Sequence, residues 1–202
     1  YDLKNEIENL VSENTDQLGF ADLYFFRPAL VFFLKDKRLE IHYHTNDYSD
    51  KEVRETFDKI FRIHPFSEHQ KWNIKIRHRI TKDEYLSKIK YIKKHIYRGD
   101  IYEMNFCQEF YSDDALIEPS ALYMNLTNVS PAPFSCMYRF YDKFLISSSP
   151  ERFLRKEGSR IISQPMKGTI KRSDNILLDQ DLKEELRNDP KEVSENVMIV
   201  DL

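Results

Sequence analysis

The 202-residue sequence predicts an α+β fold, and three features carry the prediction. Candidate strands come in hairpin-like runs rather than in a repeated strand–helix unit, which argues against a doubly wound parallel sheet. One long amphipathic helix, at residues 81–98, interrupts them. From residue 175 onward the chain then switches to helical periodicity.

Taken in order, residues 1–20 are polar and suggest a helix with Ile7, Leu10 and Val11 as one stripe. Residues 23–34 are rich in aromatic and β-branched side chains, broken by Pro28, and read as strand. Lys35-Asp36-Lys37 is a turn, and residues 38–44 return with Leu39, Ile41 and Tyr43 alternating against polar neighbours. Residues 50–61 place Val53, Phe57 and Ile60 on one helical face. Residues 72–79 alternate again.

The helix at 81–98 carries its own start and stop signals. Thr81 and Glu84 have capping-box spacing, and Gly99 stands where a helix-ending glycine belongs. Leu86, Ile89, Ile92 and Ile96 form its apolar stripe. Its lysines suit a solvated face better than an anion site, because the rest of the chain is not basic. Residues 100–111 alternate with Tyr102, Met104, Phe106 and Phe110 on one side, as in a strand. Residues 119–126 suggest a short helix opened by Pro119. Residues 134–141, 144–148, 152–155 and 160–163 read as strands. Residues 175–187 and a second helix capped by Asp189 with Pro190 at its first position complete the chain.

Composition removes several classes of function. The formal net charge is −3, and this balance argues against a nucleic-acid binder. No apolar run has the length of a membrane-spanning helix. Two cysteines, Cys107 and Cys136, are too few for a disulfide scaffold or a thiolate metal site. With only four glycines there is no Gly-rich phosphate loop. No charged-then-apolar signal peptide opens the chain, and the expected compartment is the cytoplasm. The first residue, Tyr1, and the closing apolar run at 197–202 suggest a piece of a longer protein.

Three segments concentrate reactive groups. In Ser147-Ser148-Ser149-Pro150-Glu151-Arg152, Glu151 at a strand end is either a general acid or half of a surface ion pair with Arg152. In Gln164-Pro165-Met166-Lys167-Gly168-Thr169, Lys167 is a nucleophile or carboxylate partner on one reading and a solvated loop lysine on the other. Gly168 permits close backbone approach to a ligand, and Thr169 offers a hydroxyl. On the last helix, Glu195 shares a side with Met198 and Leu202, where an unpaired carboxylate is costly. A hard cation such as Mg2+ or a salt bridge would each resolve that cost.

These segments, together with Arg98-Gly99-Asp100-Ile101-Tyr102 and Glu195-Asn196-Val197-Met198-Ile199-Val200-Asp201-Leu202, occur in the order found in the chorismate-binding enzymes, and the chain resembles that family. The similarity is densest over 81–202. Four motifs in one order are specific, whereas each alone is weak. The resemblance implies antiparallel sheets packed together with helices outside. It implies residues 1–80 as an upstream part incomplete at its N-terminus, and 81–202 as the first part of a chorismate-binding domain truncated at its C-terminus.

Within the family, Lys167 in the Pro-x-Lys-Gly-Thr segment resembles the aminodeoxychorismate synthase component I branch; anthranilate synthases usually carry alanine there. Glu103 departs from the glutamine usual in aminating members, and Gln164 stands where arginine is frequent. The resemblance implies chorismate as substrate and ammonia from a glutaminase subunit. It implies Lys167 as the covalent nucleophile and Glu151 as the acid on the departing hydroxyl. Gly168 and Thr169 would lie at the substrate carboxylate, and Glu195 would be a ligand of Mg2+. It leaves anthranilate synthesis, or a non-catalytic glutaminase-docking piece, as alternatives, and implies that this piece alone is inactive.

Overall fold

The computed structural model describes residues 2–63, 72–166 and 168–201. Two compact units divide the chain: Tyr1–Phe66 with Met137–Leu145, and Ser67–Cys136 with Ile146–Leu202.

The first unit is built on a hairpin, β1 (Leu30–Lys35) and β2 (Arg38–Tyr43), paired antiparallel with Leu34 opposite Leu39. Asp36 and Lys37 turn the chain at φ 50° and 63°, the double positive φ that matches a tight turn to strand twist. Helix α1 (Asp50–Phe61) opens on a full capping box between Ser49 and Glu52, and buries Val53. An aromatic cluster also belongs here: the Tyr24 ring meets Phe140 edge-on at 4.6 Å, and Phe26 lies 6.5 Å from Tyr138.

The second unit carries every segment with candidate chemistry. Helix α2 (Lys82–Arg98) has the Thr81–Glu84 capping box, and Gly99 ends it at φ 78°. Strands β3 (Arg77–His78) and β4 (Phe110–Tyr111) form a short antiparallel pair. Beside it the Arg79 guanidinium forks onto the Glu109 carboxylate at 2.8 and 3.0 Å and stacks 3.9 Å from the Tyr111 ring centre. Helix α3 (Pro119–Val129) is capped by Glu118, whose carboxylate accepts from the Ala121 N–H, and Ala121 is fully buried.

Strand β5 (Phe134–Phe140) pairs with β6 (Lys143–Ser149). Strand β7 (Arg152–Glu157) pairs antiparallel with β8 (Arg160–Gln164) about Gly158. Helices α4 (Ile176–Asn188) and α5 (Pro190–Asp201) follow and pack on each other.

The class is α+β as expected, but several expected strands are shorter. Residues 1–20 form only a 3-10 turn at Asp2–Glu6, and Ile7, Leu10 and Val11 are exposed. The run at 23–34 is strand only from Leu30, beyond Pro28. The alternating runs at 72–79 and 100–111 pair over two residues each. Among the described residues the strands form four separate two-stranded ladders, and only Val53 and Ala121 are buried apolar residues. An alternating pattern makes a strand only where a partner strand satisfies its backbone groups, and most of these runs meet none.

Candidate active site

The turn that bears Glu151 is fastened from below. Ser148 Oγ donates to the Ser130 carbonyl at the end of α3 and lies 3.2 Å from Ser135 Oγ on β5. Ser149 Oγ accepts the Glu151 N–H at 3.2 Å. The three serines therefore include two that tie the end of β6 to its surroundings and start the turn. Glu151 itself is exposed.

The ion-pair alternative for Glu151 does not form among the described residues. Its neighbour Arg152 instead donates from Nε to Gln164 Oε1 at 2.8 Å, and its guanidinium lies 4.7 Å from the centre of the Phe134 ring. Arg152 and Gln164 are also register partners across β7 and β8. Glu151 and Pro165 thus leave the same end of one ladder. Antiparallel pairing brings the Glu151 turn and the start of the 165–169 loop together, although Pro165 stands 14 positions after Glu151.

Lys167 lies outside the described residues. Its neighbour Gly168 sits at φ 80°, and a Cβ added there would collide with the Glu192 carboxylate. The left-handed backbone favours glycine here, and a side chain would also have to displace the Glu192 carboxylate. Thr169 is exposed.

Glu192 comes from the first turn of α5, where the Asp189 carboxylate accepts the Lys191 and Glu192 N–H groups at 2.8 and 3.0 Å. One turn further stands Glu195. The Lys191 ammonium joins the two, at 3.1 Å from Glu192 Oε1 and 3.2 Å from Glu195 Oε1. The hydrogen bond that Lys191 donates to Glu192, then the one it donates to Glu195, pushes the Lys191 pKa up. Glu195 is therefore paired here through a salt bridge and is not an isolated carboxylate on an apolar face. Glu192 was not singled out from the sequence, although the Lys191-Glu192-x-x-Glu195 spacing signals two carboxylates on one helical face.

Past Thr169 the chain is pinned again. Arg172 Nε and Nη2 each donate to one oxygen of Asp179 on the first turn of α4, both at 2.7 Å, and the Ser173 N–H donates to Asp179 at 3.0 Å. The Arg172 bonds chiefly hold the Asp179 carboxyl at about 2. A hollow of about 820 Å3 on the β1–β2 hairpin and one of about 730 Å3 on α2 are lined by none of these residues. No helix among the described residues is long and apolar enough to cross a membrane.

One end of the β7–β8 ladder thus sets the Glu151 turn beside the start of the 165–169 loop, and Gly168 further along that loop meets Glu192, one of the two carboxylates of α5 that share Lys191. The α+β frame that does this is shared with the crystal structure of anthranilate synthase component I from Streptococcus pneumoniae, at a TM-score of 0.78 over 99% of this chain and 46% of that one, with 19% identity. The family model described as chorismate binding enzyme matches residues 1–202, and the chain belongs to that family.

Among relatives, anthranilate synthase component 1 of Thermus thermophilus is 30% identical over 208 residues, covering 100% of this chain and 45% of the relative. Aminodeoxychorismate synthase component 1 of Salmonella typhimurium is 35% identical over 123 residues, covering 61% of this chain and 27% of the relative. The chain spans less than half the length of these relatives.

Proposed function

We propose that this chain is part of component I of an aminodeoxychorismate synthase, which converts chorismate and ammonia to 4-amino-4-deoxychorismate for p-aminobenzoate and folate synthesis in the cytoplasm. Ammonia comes from a separate glutaminase subunit. The observation that carries the reading is Lys167 between Pro165 and Gly168, on the loop that starts beside Glu151 and runs against α5.

The donor chemistry of α5 fits Mg2+. Glu192 and Glu195 already share one cation, the Lys191 ammonium, and Mg2+ is commonly bound through one or two carboxylates together with water and substrate oxygens. Glu195 would hold the metal, with Glu192 beside it. When bound, Mg2+ supplies positive charge for the carboxylates of the substrate and offsets the glutamates around it.

The remaining roles belong to the chain itself. Gly168 and Thr169 bring backbone and hydroxyl to the substrate carboxylate. Lys167, as free amine, attacks C2 as the C4 hydroxyl leaves, and Glu151 donates the proton that lets it leave as water. Ammonia then attacks C4, and the lysine leaves from C2 with its electron pair restored. The covalent step divides one difficult displacement into two.

Lys167→Ala in the full-length protein tests the reading. Loss of a covalent nucleophile costs several orders of magnitude in turnover, on the order of a thousandfold or more. Retained wild-type kcat would remove Lys167 from that role. Product identity separates the readings: 4-amino-4-deoxychorismate from the wild type supports this one, and anthranilate from the wild type supports tryptophan synthesis instead.

A further inference from the structure

The loop that carries Lys167 is held at both ends, and the hold at its far end uses residues with no contact to substrate in the reading above. At the near end, the Arg152–Gln164 bond closes the β7–β8 ladder immediately before Pro165. In the middle, Gly168 abuts Glu192 of α5. At the far end, Asp179 accepts three hydrogen bonds, two from the Arg172 fork and one from the Ser173 N–H. Asn175, which caps α4 by accepting from the Leu177 and Leu178 N–H groups, donates its own N–H to Ser173 Oγ at 3.2 Å. Residues 172–175 are thereby drawn onto the start of α4.

We propose that Asp179 is a positioning residue, which clamps Arg172 and Ser173 to α4 and so fixes the exit of the loop bearing Lys167, Gly168 and Thr169. The consequence for turnover rests on the reaction proposed above; the clamp itself does not. A planar fork on a carboxylate fixes orientation as well as distance, which a single-point contact does not. Asp179 is only 20% exposed although Arg172 is 87% exposed, so the carboxylate is the fixed member and the arginine reaches in to it. Arg172 stands five positions after Lys167 in the sequence, so freedom at the exit passes along the chain towards that residue. Catalysis is sensitive to displacement of about 1 Å, at a cost on the order of a hundredfold in rate.

The test uses the full-length protein with Asp179→Asn, Arg172→Gln and both together. Amide hydrogen exchange at residues 168–173 reports the clamp, and kcat and KM for chorismate report its effect. Each single change is expected to speed exchange there and to lower kcat by about ten- to a hundredfold, with a smaller change in KM. The double variant is expected to be no worse than the worse single, because both remove one contact. Arg172→Lys, which keeps the charge but not the fork, is expected to restore part of kcat.

Unchanged exchange at 168–173 in both singles would overturn the clamp. Multiplicative losses in the double variant, or loosened exchange with kcat intact, would overturn its role in positioning. A wild-type protein that does not turn over chorismate would overturn the reaction instead, while exchange at 168–173 still decides the clamp.

Discussion

Arg152 and Gln164 face each other across the last rung of the β7–β8 ladder, joined by a 2.8 Å hydrogen bond from Nε to Oε1. That rung decides which end of the ladder collects the candidate chemistry. It also takes Arg152 away from its sequence neighbour, so Glu151 leaves the strand as an exposed carboxyl with no arginine partner among the described residues.

Glu151→Gln preserves shape and hydrogen bonding but removes the proton donor. In the full-length enzyme kcat is expected to fall more than KM rises, by about a hundredfold or more. Steady-state kinetics across the pH range check this; a profile matching the wild type would leave Glu151 with no part in proton transfer.

Gly168 and Gly158 make a matched pair for substitution by alanine. Both have positive φ, 80° and 58°, but only Gly168 faces a carboxylate, while Gly158 has open space. Backbone strain alone costs roughly 1–2 kcal/mol at either. Gly168→Ala is expected to exceed Gly158→Ala in urea unfolding and to weaken chorismate turnover as well. Equal effects at the two positions would show that Glu192 gives way freely.

Removing either glutamate of α5 separates a metal ligand from a simple partner of Lys191. Glu195→Ala is expected to raise the Mg2+ concentration needed for half-maximal activity, and Glu192→Ala to do so less. Calorimetric titration of the full-length protein with Mg2+, with and without chorismate, reads the affinity directly. Glu195→Ala with an unaltered Mg2+ requirement would assign Glu195 to the salt bridge alone.

Acid sensitivity follows from the Arg172 fork. Asp179 is held at about 2, below its ordinary 3.8, so the unfolded chain binds the extra proton first as pH falls. Its contribution to stability is therefore complete above about 3.8 and lost as pH falls towards about 2. Asp179→Asn is expected to flatten the stability profile over that window, and salt to weaken the wild-type effect, since Arg172 is exposed. Urea midpoints measured through the window check both; identical wild-type and variant profiles would contradict the linkage.

Capping of α2 gives a prediction that needs no ligand. Thr81 Oγ1 accepts the Glu84 N–H at 3.3 Å. Thr81→Ala is expected to cost about 1 kcal/mol, read as a lower urea midpoint, with Thr81→Ser close to the wild type.

What the sequence determined by itself is local. The Thr81–Glu84 cap, the Gly99 stop, the Asp36–Lys37 turn, the β7–β8 hairpin and the start of α5 at Asp189-Pro190 all depend on groups within a few residues of one another. Short-range spacing is enough to specify them.

Tertiary structure decided the rest. It shortened the runs at 23–34, 72–79 and 100–111, because alternation records which side chains could face a core but not whether a strand lies alongside. It turned Arg152 to Gln164, set Glu192 against Gly168 and forked Arg172 onto Asp179. Each of these joins groups whose separation depends on how two elements pack. Hydrogen bonds act over about 3 Å, and residue order alone does not specify such distances between packed elements.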